Sequence, residues 1–495
     1  MTLIVLVLTP LIAAGIIWFA RRRAIIEIVH TVATLGAFAL GMTVAMEAWN
    51  GSPPTALNGV LRADALSAFM VTVITFVSAA AGVYAVGYMR AEPRRTAHLL
   101  AAGESESLEQ IGQVRLFFTL YHLLILMMLI AVTTDNLGVM WVAIEGTTLA
   151  TVFLVNLHGT RSSLEAAYKY LIVSSVGLAL AFLGTALMYY AGAARAGEIA
   201  VNWTSLRDAA SSLNPQVVRL AFVFVLIGYG TKAGLAPMHT WLPDAHSEAP
   251  APISALMSGV LLNVGLYAVM RFKAVTDLAV GAAFSSRLLI GMGLLSLAVA
   301  AVFLLTQSNY KRMLAYSSVE HIGIVCLGLG FGGYWGVLGA LLQLANHALA
   351  KSLMFILSGN IYLKYGSTAI SDVRGLLRAA PVTGRLFLVG TLALIGMPPF
   401  GLFISEFVVF RAGMEGNGWA AVTGIILLVA VFAGMLSNAN HMLYGAPPDD
   451  LPPGDPLTWH LAPLAANCAL LLVLGLAVPP VMVDVLSQVL RVLGV

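Results

Sequence analysis

The sequence has little charge and a large excess of apolar residues. Only 10% of its 495 residues are charged and 59% are hydrophobic, whereas soluble globular domains carry roughly a quarter charged residues. A water-soluble globular protein is therefore excluded, and so is a disordered chain, which needs low hydrophobicity. The apolar residues form continuous blocks rather than the alternating strands of a membrane β-barrel. The composition predicts an all-α, multi-pass membrane protein.

Cysteine is also scarce. The two cysteines, Cys326 and Cys468, stand in separate apolar segments, which gives no CxxC pair, no Cys/His zinc pattern and no iron–sulfur motif. We therefore expect no cofactor and no metal site, and any redox chemistry must be housed in another subunit. The net charge of +3 comes from scattered residues, which argues against a nucleic-acid partner.

The apolar blocks predict fourteen membrane spans, since one span needs about 20 apolar residues. The first block begins at the N-terminus without the basic region or cleavage site of a signal peptide, so we interpret it as a span. An even number of spans places both termini on the same side. The spans are expected near residues 2–20, 24–48, 64–89, 115–132, 136–157, 165–191, 217–237, 251–271, 287–306, 312–330, 334–362, 384–411, 419–444 and 460–488.

Lysine and arginine are unevenly distributed between the loops. Loops after odd-numbered spans hold fourteen of these residues and loops after even-numbered spans hold eight. Loops rich in lysine and arginine stay on the cytoplasmic side of a membrane. Both termini are therefore expected on the non-cytoplasmic side of the cell's inner (cytoplasmic) membrane.

Two of the predicted spans contain helix-breaking residues. Gly234 and Pro237 interrupt the seventh span, and Pro398 and Pro399 interrupt the twelfth. A broken helix persists in a membrane only where it is buried in protein or lines a wet cavity. Breaks at corresponding positions of two halves indicate a transport site built on inverted repeats. The breaks are five helices apart, and this odd offset predicts two five-helix units of opposite topology.

The chain is accordingly expected to have four parts. An N-terminal segment of three helices covers residues 1–114. The first inverted repeat, helices 4–8, covers residues 115–271, and the second, helices 9–13, covers residues 287–445. A C-terminal helix occupies residues 446–495.

A few ionisable residues lie inside the predicted spans. A charge at the bilayer centre costs on the order of 2.5–3.5 kcal/mol, so such residues are candidates for function. Burial disfavours the charged form of both glutamate and lysine, which allows each to exchange protons. A structural role for Glu145 is the alternative, although a neutral polar residue would serve with less desolvation. The strongest candidates for a proton relay are Glu145, Lys232, His347, Lys351 and Glu406.

Two pairs of neighbouring residues bear on this relay. His347 and Lys351 are one helical turn apart and share a helix face, where two cationic groups keep at least one of them neutral. A packing histidine is the alternative for His347. Glu320 and His321 are adjacent, about 100° apart around a helix, so we expect only one of them to face the path. Both are secondary relay candidates.

Further candidates lie near the first helix break. His239, Asp244 and His246 stand in a short connection punctuated by proline, without clear metal-ligand geometry, and we interpret them as the mouth of a half-channel. Lys169 lies one turn inside its span, four residues after Glu165. It is either a secondary relay residue or part of an ion pair at the helix end.

Four motifs occur in order along the central part of the chain. They read LAPMHTWLPDAH at 235–246, PISALMSGV at 252–260, YKRMLAYSS at 310–318 and HALAKSLMF at 347–355. Together they resemble the antiporter-like membrane subunits shared by respiratory complex I, multisubunit (Mrp) cation/proton antiporters and energy-converting hydrogenases. The resemblance runs over roughly residues 115–445.

Two further motifs resemble one particular type within this family. The stretches WVAIEGTTL at 141–149 and AYSSVEHIG at 315–323 look most like the hydrogenase-4 component F type. Within the family, relatives carry Lys or His in the middle of helix 8, where this chain has Asn263. Asparagine can hold a water chain but cannot store a proton at neutral pH, so Asn263 is expected to have a secondary role.

The resemblance implies a fold and a set of roles. It implies fourteen helices in two inverted five-helix repeats, with proton translocation along a central hydrated axis. Glu145 and Lys232 match the family's coupled pair on helices 5 and 7. His347 and Lys351 match the connecting polar residues of helix 11, and Glu406 matches the helix 12 site near the exit side.

The implied function is that of a proton-translocating subunit in a redox-driven hydrogenase-4, formate-hydrogenlyase-like or complex I-like assembly. Its partners would be other membrane subunits and, through them, a soluble redox arm. One open alternative is an Mrp-like Na⁺/H⁺ antiporter module, which needs clustered oxygen ligands. The visible ones near Glu145 are Thr147, Thr148 and Thr151. A non-pumping scaffold, or the membrane partner of an inorganic-carbon uptake complex, is the other alternative.

Overall fold

The computed structural model describes residues 1–100, 108–196, 201–449, 451–457 and 462–495. These residues form an almost entirely helical bundle with one small antiparallel hairpin, β1 (Thr55–Ala56) and β2 (Leu61–Arg62). The helices of the N-terminal half are α1 (Thr2–Phe19), α2 (Arg23–Trp49), α3 (Ala65–Leu100), α4 (Leu108–Thr133), α5 (Leu137–Val155), α6 (Arg161–Ala196), α7 (Trp203–Asp208), α8 (Pro215–Ala233), α9 (Trp241–Glu248) and α10 (Ala251–Leu256). The helices of the C-terminal half are α11 (Leu262–Val280), α12 (Ala282–Leu304), α13 (Tyr310–Phe331), α14 (Gly333–Tyr365), α15 (Leu376–Ala379), α16 (Pro381–Leu394), α17 (Gly401–Gly416), α18 (Gly418–Leu443), α19 (Ala462–Leu476) and α20 (Pro480–Leu493).

The helices confirm a multi-pass membrane protein. In the described part of the chain, twelve helical segments are long and apolar enough to cross a membrane. One of these segments joins α10 to α11 through a π-helical turn, Met257–Leu261. The pair α19 and α20, which bends by 82°, gives a thirteenth if it is counted as one span.

The number of continuous spans is lower than the fourteen predicted. The twelfth predicted span, 384–411, is divided into α16 and α17, and the fourteenth, 460–488, is divided into α19 and α20. Prolines stand at both interruptions, and proline lacks the backbone N–H that an α-helix needs. The helix α4 begins at Leu108, so residue 114 lies inside this helix.

Both helix breaks of the candidate path lie at the glycines and prolines of the sequence. At the first break α8 ends at Ala233, and Gly234 follows with a φ of 79°, in the left-handed region. The chain resumes as α9 only at Trp241. In the second break α16 ends at Leu394 and α17 begins at Gly401.

The centre of the bundle is formed by α10, α11, α13 and α14, whose residues are almost all buried. Around them α6 packs along α8, α12 along α13 and α17 along α14. Small residues allow the close approach of α6 and α8. A Cβ atom on Gly228 of α8 would lie 2.6 Å from the carbonyl oxygen of Gly177 on α6. This close packing places the end of α8 directly against α6.

A buried ion pair links α11 to the residue just before α3. Arg271 on α11 binds both carboxylate oxygens of Asp64, just before α3, at 2.6 and 2.7 Å. The Arg271 guanidinium also lies 4.3 Å from the ring of Trp203 and 4.9 Å from the ring of Tyr267. The bidentate geometry and the two aromatic faces compensate the desolvation of the arginine.

Candidate functional site

Lys232 lies in the last turn of α8 and has no exposed surface. Its Nζ atom donates hydrogen bonds to Oγ1 of Thr148 on α5 at 2.9 Å and to Oη of Tyr170 on α6 at 2.7 Å. Both acceptors are neutral hydroxyl groups. In the described residues, no carboxylate lies within ion-pair distance of Lys232.

The hydroxyl groups around Lys232 continue into a hydrogen-bonded network. Oη of Tyr170 lies 2.7 Å from Oγ1 of Thr151, one turn along α5 from Thr148. The Tyr170 ring packs against the ring of Trp241, with 4.6 Å between the centroids. Trp241 begins α9 and donates from Nε1 to the carbonyl oxygen of Thr231. The first helix break therefore folds an aromatic side chain back over the lysine site.

Glu145 belongs to the same cluster without forming an ion pair with Lys232. It precedes Thr148 by three residues on α5, so the two side chains lie on neighbouring turns of one helix face. Ser175 of α6 donates to Oε1 of Glu145 at 3.1 Å, and Oε2 is buried without a hydrogen-bond partner. Thr148 therefore contacts Lys232 and shares a helix face with Glu145.

His246 and Asn263 occupy the middle of the bundle. His246 is completely buried, with its ring 6.1 Å from that of Trp241 and 5.6 Å from that of Phe355 on α14. Its Nδ1 atom pairs with the carbonyl oxygen of Leu242, and Nε2 has no partner. Asn263 donates to the carbonyl oxygen of Gly259 in the π-helical turn before α11, and its Oδ1 is likewise buried and unpartnered.

Lys351 repeats the arrangement of Lys232 in the second half of the chain. It lies in the middle of α14 without exposed surface. Its Nζ atom donates to the carbonyl oxygen of Leu314 at 2.7 Å and to the hydroxyl of Ser317, both on α13. These acceptors are again neutral. His347, one turn earlier, is fully buried and neither of its ring nitrogens has a partner.

The second cluster of polar residues lies next to His347 and Lys351, between α13 and α17. It contains Glu320, His321 and Glu406. Nδ1 of His321 lies 3.7 Å from Oε1 of Glu320 and 3.9 Å from Oε1 of Glu406. The same nitrogen is 3.0 Å from Nε2 of Gln343 on α14. The expectation that only one of Glu320 and His321 faces this region is wrong. The flexible glutamate side chain spans the angle between the two adjacent positions.

The residues interpreted as a half-channel mouth lie at different depths. Asp244, whose side chain is 18% exposed, is 2.5 Å from Arg312 on α13 and 3.2 Å from Lys169 on α6. Lys169 is half exposed and also pairs with Glu165 at 2.7 Å. Asp244 therefore joins the two halves of the chain by ion pairs near the surface, and Lys169 forms the helix-end pair. His246, in contrast, lies inside the bundle.

Sequence reasoning missed several of the neutral partners. Tyr170, Ser175, Ser317 and Gln343 are ordinary residues in apolar helices, and only their contacts single them out. A signal was present in the helical spacing, because Ser317 precedes Glu320 by three residues. Such spacing is too common to identify a site by itself.

Comparison with known proteins places the chain among membrane subunits of respiratory and antiporter complexes. The family model described as "NADH:quinone oxidoreductase/Mrp antiporter, TM" matches residues 134–436. A second model, "NADH-Ubiquinone oxidoreductase (complex I), chain 5 N-terminus", matches residues 50–97. The first match covers more than half of the sequence.

One relative and two solved structures show the extent of the similarity. The hydrogenase-4 component F homologue of Methylacidiphilum infernorum is 38% identical over 75% of this chain and 78% of its own length. A chain of the membrane-bound sulfane sulfur reductase, an archaeal respiratory membrane complex, is 24% identical with a TM-score of 0.84, over 98% of this chain and 96% of that one. A chain of the Mrp complex from Dietzia sp. DQ12-45-1b is 21% identical with a TM-score of 0.83, over the same shares.

Both structural neighbours are parts of multi-subunit membrane complexes. The helical architecture, the buried ionisable residues and the family-model match agree with one another. The chain belongs to the NADH:quinone oxidoreductase/Mrp antiporter family and is an antiporter-like membrane subunit.

Proposed function

We propose that this chain moves protons across the inner (cytoplasmic) membrane as a subunit of a redox-driven complex of the hydrogenase-4 or complex I kind. One observation carries the proposal. Lys232 and Lys351 lie inside membrane-spanning helices without exposed surface, and each is held by neutral oxygen atoms. A purely structural buried cation is ordinarily paired with a carboxylate, because an unpaired charge there is costly.

Neutral partners suit a lysine that changes its charge. A hydroxyl or carbonyl oxygen accepts a hydrogen bond from the charged ammonium form. When the lysine loses its proton, these neutral acceptors leave no unpaired negative charge beside the amine. A nearby carboxylate that gains or loses its proton then changes the preferred state of the lysine. Glu145 is the carboxylate in this role, because Thr148 contacts Lys232 and shares a helix face with Glu145.

The proposed path runs through both halves of the chain. It begins at Glu145 and Lys232, continues past the buried ring of His246, and reaches Lys351 and then the second cluster. In that cluster His347 and Glu406 carry the path onward, with Glu320 and His321 as secondary members. Unpartnered buried atoms, including Oδ1 of Asn263 and Nε2 of His246, offer positions at which water can complete the path.

The same proposal includes the repeat organisation of the chain, its orientation in the membrane and its partner subunits. The two helix breaks belong to two inverted five-helix repeats, residues 115–271 and 287–445. Both termini lie on the non-cytoplasmic side, and other membrane subunits link the chain to a soluble redox arm. The uneven distribution of lysine and arginine between the loops supports this orientation.

The test uses the complete complex, reconstituted into vesicles that contain a fluorescent pH indicator. Redox-driven acidification is expected in the wild type and is expected to be lost in Lys232→Ala and Glu145→Gln. Lys273→Met is the matched control, because Lys273 pairs with Asp277 on its own helix outside the path. It should retain the wild-type rate.

Two results would contradict the proposal. Wild-type acidification in both Lys232→Ala and Glu145→Gln, with the complex intact by size-exclusion chromatography, indicates a scaffold that does not pump. Acidification that requires Na⁺ and is accompanied by uptake of ²²Na⁺ indicates an Mrp-like exchanger instead. Measuring each variant with and without Na⁺ distinguishes these outcomes.

A further inference from the structure

Glu320, His321 and Glu406 form a cluster whose geometry is that of a metal-ligand set. One ligand atom from each residue can be chosen so that all three lie within 4.8 Å of one another. Glu320 and His321 come from α13 and Glu406 from α17, so the set is assembled only by the packing of these helices. Glu320 and His321 are almost completely buried, and the side chain of Glu406 is 12% exposed.

The spacing of these atoms is close to that of a tetrahedral zinc site. Zinc bonds to nitrogen and oxygen ligands of about 2.0–2.2 Å place the ligand atoms roughly 3.3–3.6 Å apart. The two distances from Nδ1 of His321 to the glutamate oxygens are 3.7 and 3.9 Å. Both distances exceed the tetrahedral spacing by a few tenths of an ångström.

The electrostatics of the cluster also point to a cation. Among the residues that the structure describes, neither Glu320 nor Glu406 has a lysine or arginine as an ion-pair partner. One oxygen of each carboxylate is buried without any hydrogen-bond partner. Two ionised carboxylates at this separation repel each other in an apolar environment. A divalent cation between them neutralises both charges and leaves a site of zero net charge.

Two further buried side chains, His347 and Gln343, lie beside the cluster. The ring of His347 lies 5.4 Å from the ring of His321, and both of its nitrogens are buried and unpartnered. It lies beside the cluster but does not belong to the set of three ligand atoms. Gln343 donates from Nε2 to Nδ1 of His321 and accepts a hydrogen bond from Ser405, one residue before Glu406. A metal ion bound at Nδ1 replaces the hydrogen bond from Gln343, because that nitrogen has one lone pair.

We propose that Glu320, His321 and Glu406 bind one divalent transition-metal ion of the Zn²⁺ class and leave its fourth position open. The imidazole of His321 favours Zn²⁺ over Mg²⁺ and Ca²⁺, which prefer all-oxygen sites. Binding itself is independent of proton transport. Its consequence rests on the proposed function: a metal ion bound here occupies the end of the path at Glu406 and stops proton transfer through it.

Binding is measured on the purified full-length chain in detergent, after removal of metal with a chelator. Titration with ZnCl₂ is expected to show one tight equivalent. His321→Ala and Glu406→Gln should each weaken this binding by roughly tenfold or more, since even the loss of an outer-shell contact costs 10- to 100-fold in affinity. Two controls lie outside the cluster: His441→Ala, in the last turn of α18, and His239→Ala, between α8 and α9, should both retain it.

X-ray absorption of the zinc-loaded wild type gives a readout that does not depend on the folding of a variant. The expected spectrum shows nitrogen and oxygen ligands with the outer-shell pattern of imidazole and no sulfur. Sulfur ligation, or tight binding that survives in both His321→Ala and Glu406→Gln, would overturn the proposed site. The absence of a tight equivalent in the wild type would also overturn it.

The transport measurement is kept separate from the binding measurement. In vesicles, Zn²⁺ is expected to inhibit wild-type acidification and to inhibit the His441→Ala variant equally. If Zn²⁺ binds as described but the complex moves no protons, the metal site stands and the proposed function fails. If protons are moved and the tight equivalent is absent, the function stands and the metal site fails.

Discussion

Nζ of Lys232 lies 2.7 Å from Oη of Tyr170, and both side chains are completely buried between α6 and α8. This contact gives the lysine a neutral partner in a region where a carboxylate would fix its charge. The tyrosine hydroxyl also meets Thr151, so it connects the lysine to the polar face of α5. In the proposed path, the Tyr170 hydroxyl therefore holds Lys232 together with the hydroxyl of Thr148.

We expect Tyr170→Phe to slow redox-driven acidification by about tenfold or more. The substitution keeps the ring and removes one hydrogen bond to a charged group, which contributes about 1.5–3 kcal/mol. Tyr168→Phe on the same helix is the matched control, because Tyr168 is 58% exposed. The measurement is the initial rate of acidification in vesicles. Equal rates in the two variants would contradict a role for the Tyr170 hydroxyl.

Gly228→Ala is expected to destabilise the protein by about 1–3 kcal/mol through overpacking. The new methyl group would lie 2.6 Å from the carbonyl oxygen of Gly177 and would push α8 away from α6. Gly291→Ala on α12 is the control, because a Cβ atom there meets nothing within 4 Å. That substitution should raise the stability slightly, since alanine favours a helix over glycine.

The two glycine variants are compared by thermal unfolding in detergent. A lower melting temperature for Gly228→Ala and an unchanged or higher one for Gly291→Ala are expected. Melting temperatures that move together in the same direction would show that the contact between α6 and α8 is looser than the structure indicates.

Arg271→Met is expected to destabilise the protein by about 3–5 kcal/mol, because it leaves the carboxylate of Asp64 without its counter-charge. The double variant Asp64→Asn/Arg271→Met should recover part of this loss, since it removes the unpaired charge. Lys273→Met, two residues away, removes one contact with Asp277, whose carboxylate keeps the hydrogen bond from Ser285, and should destabilise the protein less than Arg271→Met. Thermal unfolding of the three variants provides the comparison. A double variant no more stable than Arg271→Met would refute this account of the ion pair.

Part of the candidate site could be predicted from residue type alone. A lysine in an apolar helix is unusual enough to identify Lys232 and Lys351, and glycine and proline reveal the breaks at Gly234 and Pro237. The roles of these residues stay predictions, whereas their burial and the helix ends are structural facts. The convergence of Glu320 with His321 could not be predicted, because adjacent residues on a helix point in different directions.

The sequence by itself determined the membrane character of the protein, the approximate position of its spans and the family to which it belongs. These properties depend on local hydropathy and on contiguous motifs. Only the tertiary structure decided which neutral groups surround each buried lysine and that Glu320, His321 and Glu406 meet. The hydroxyl of Tyr170 reaches Lys232 across 62 residues of sequence. The reason is physical: such contacts depend on how closely α5, α6 and α8 pack, and no local pattern of residues sets that distance.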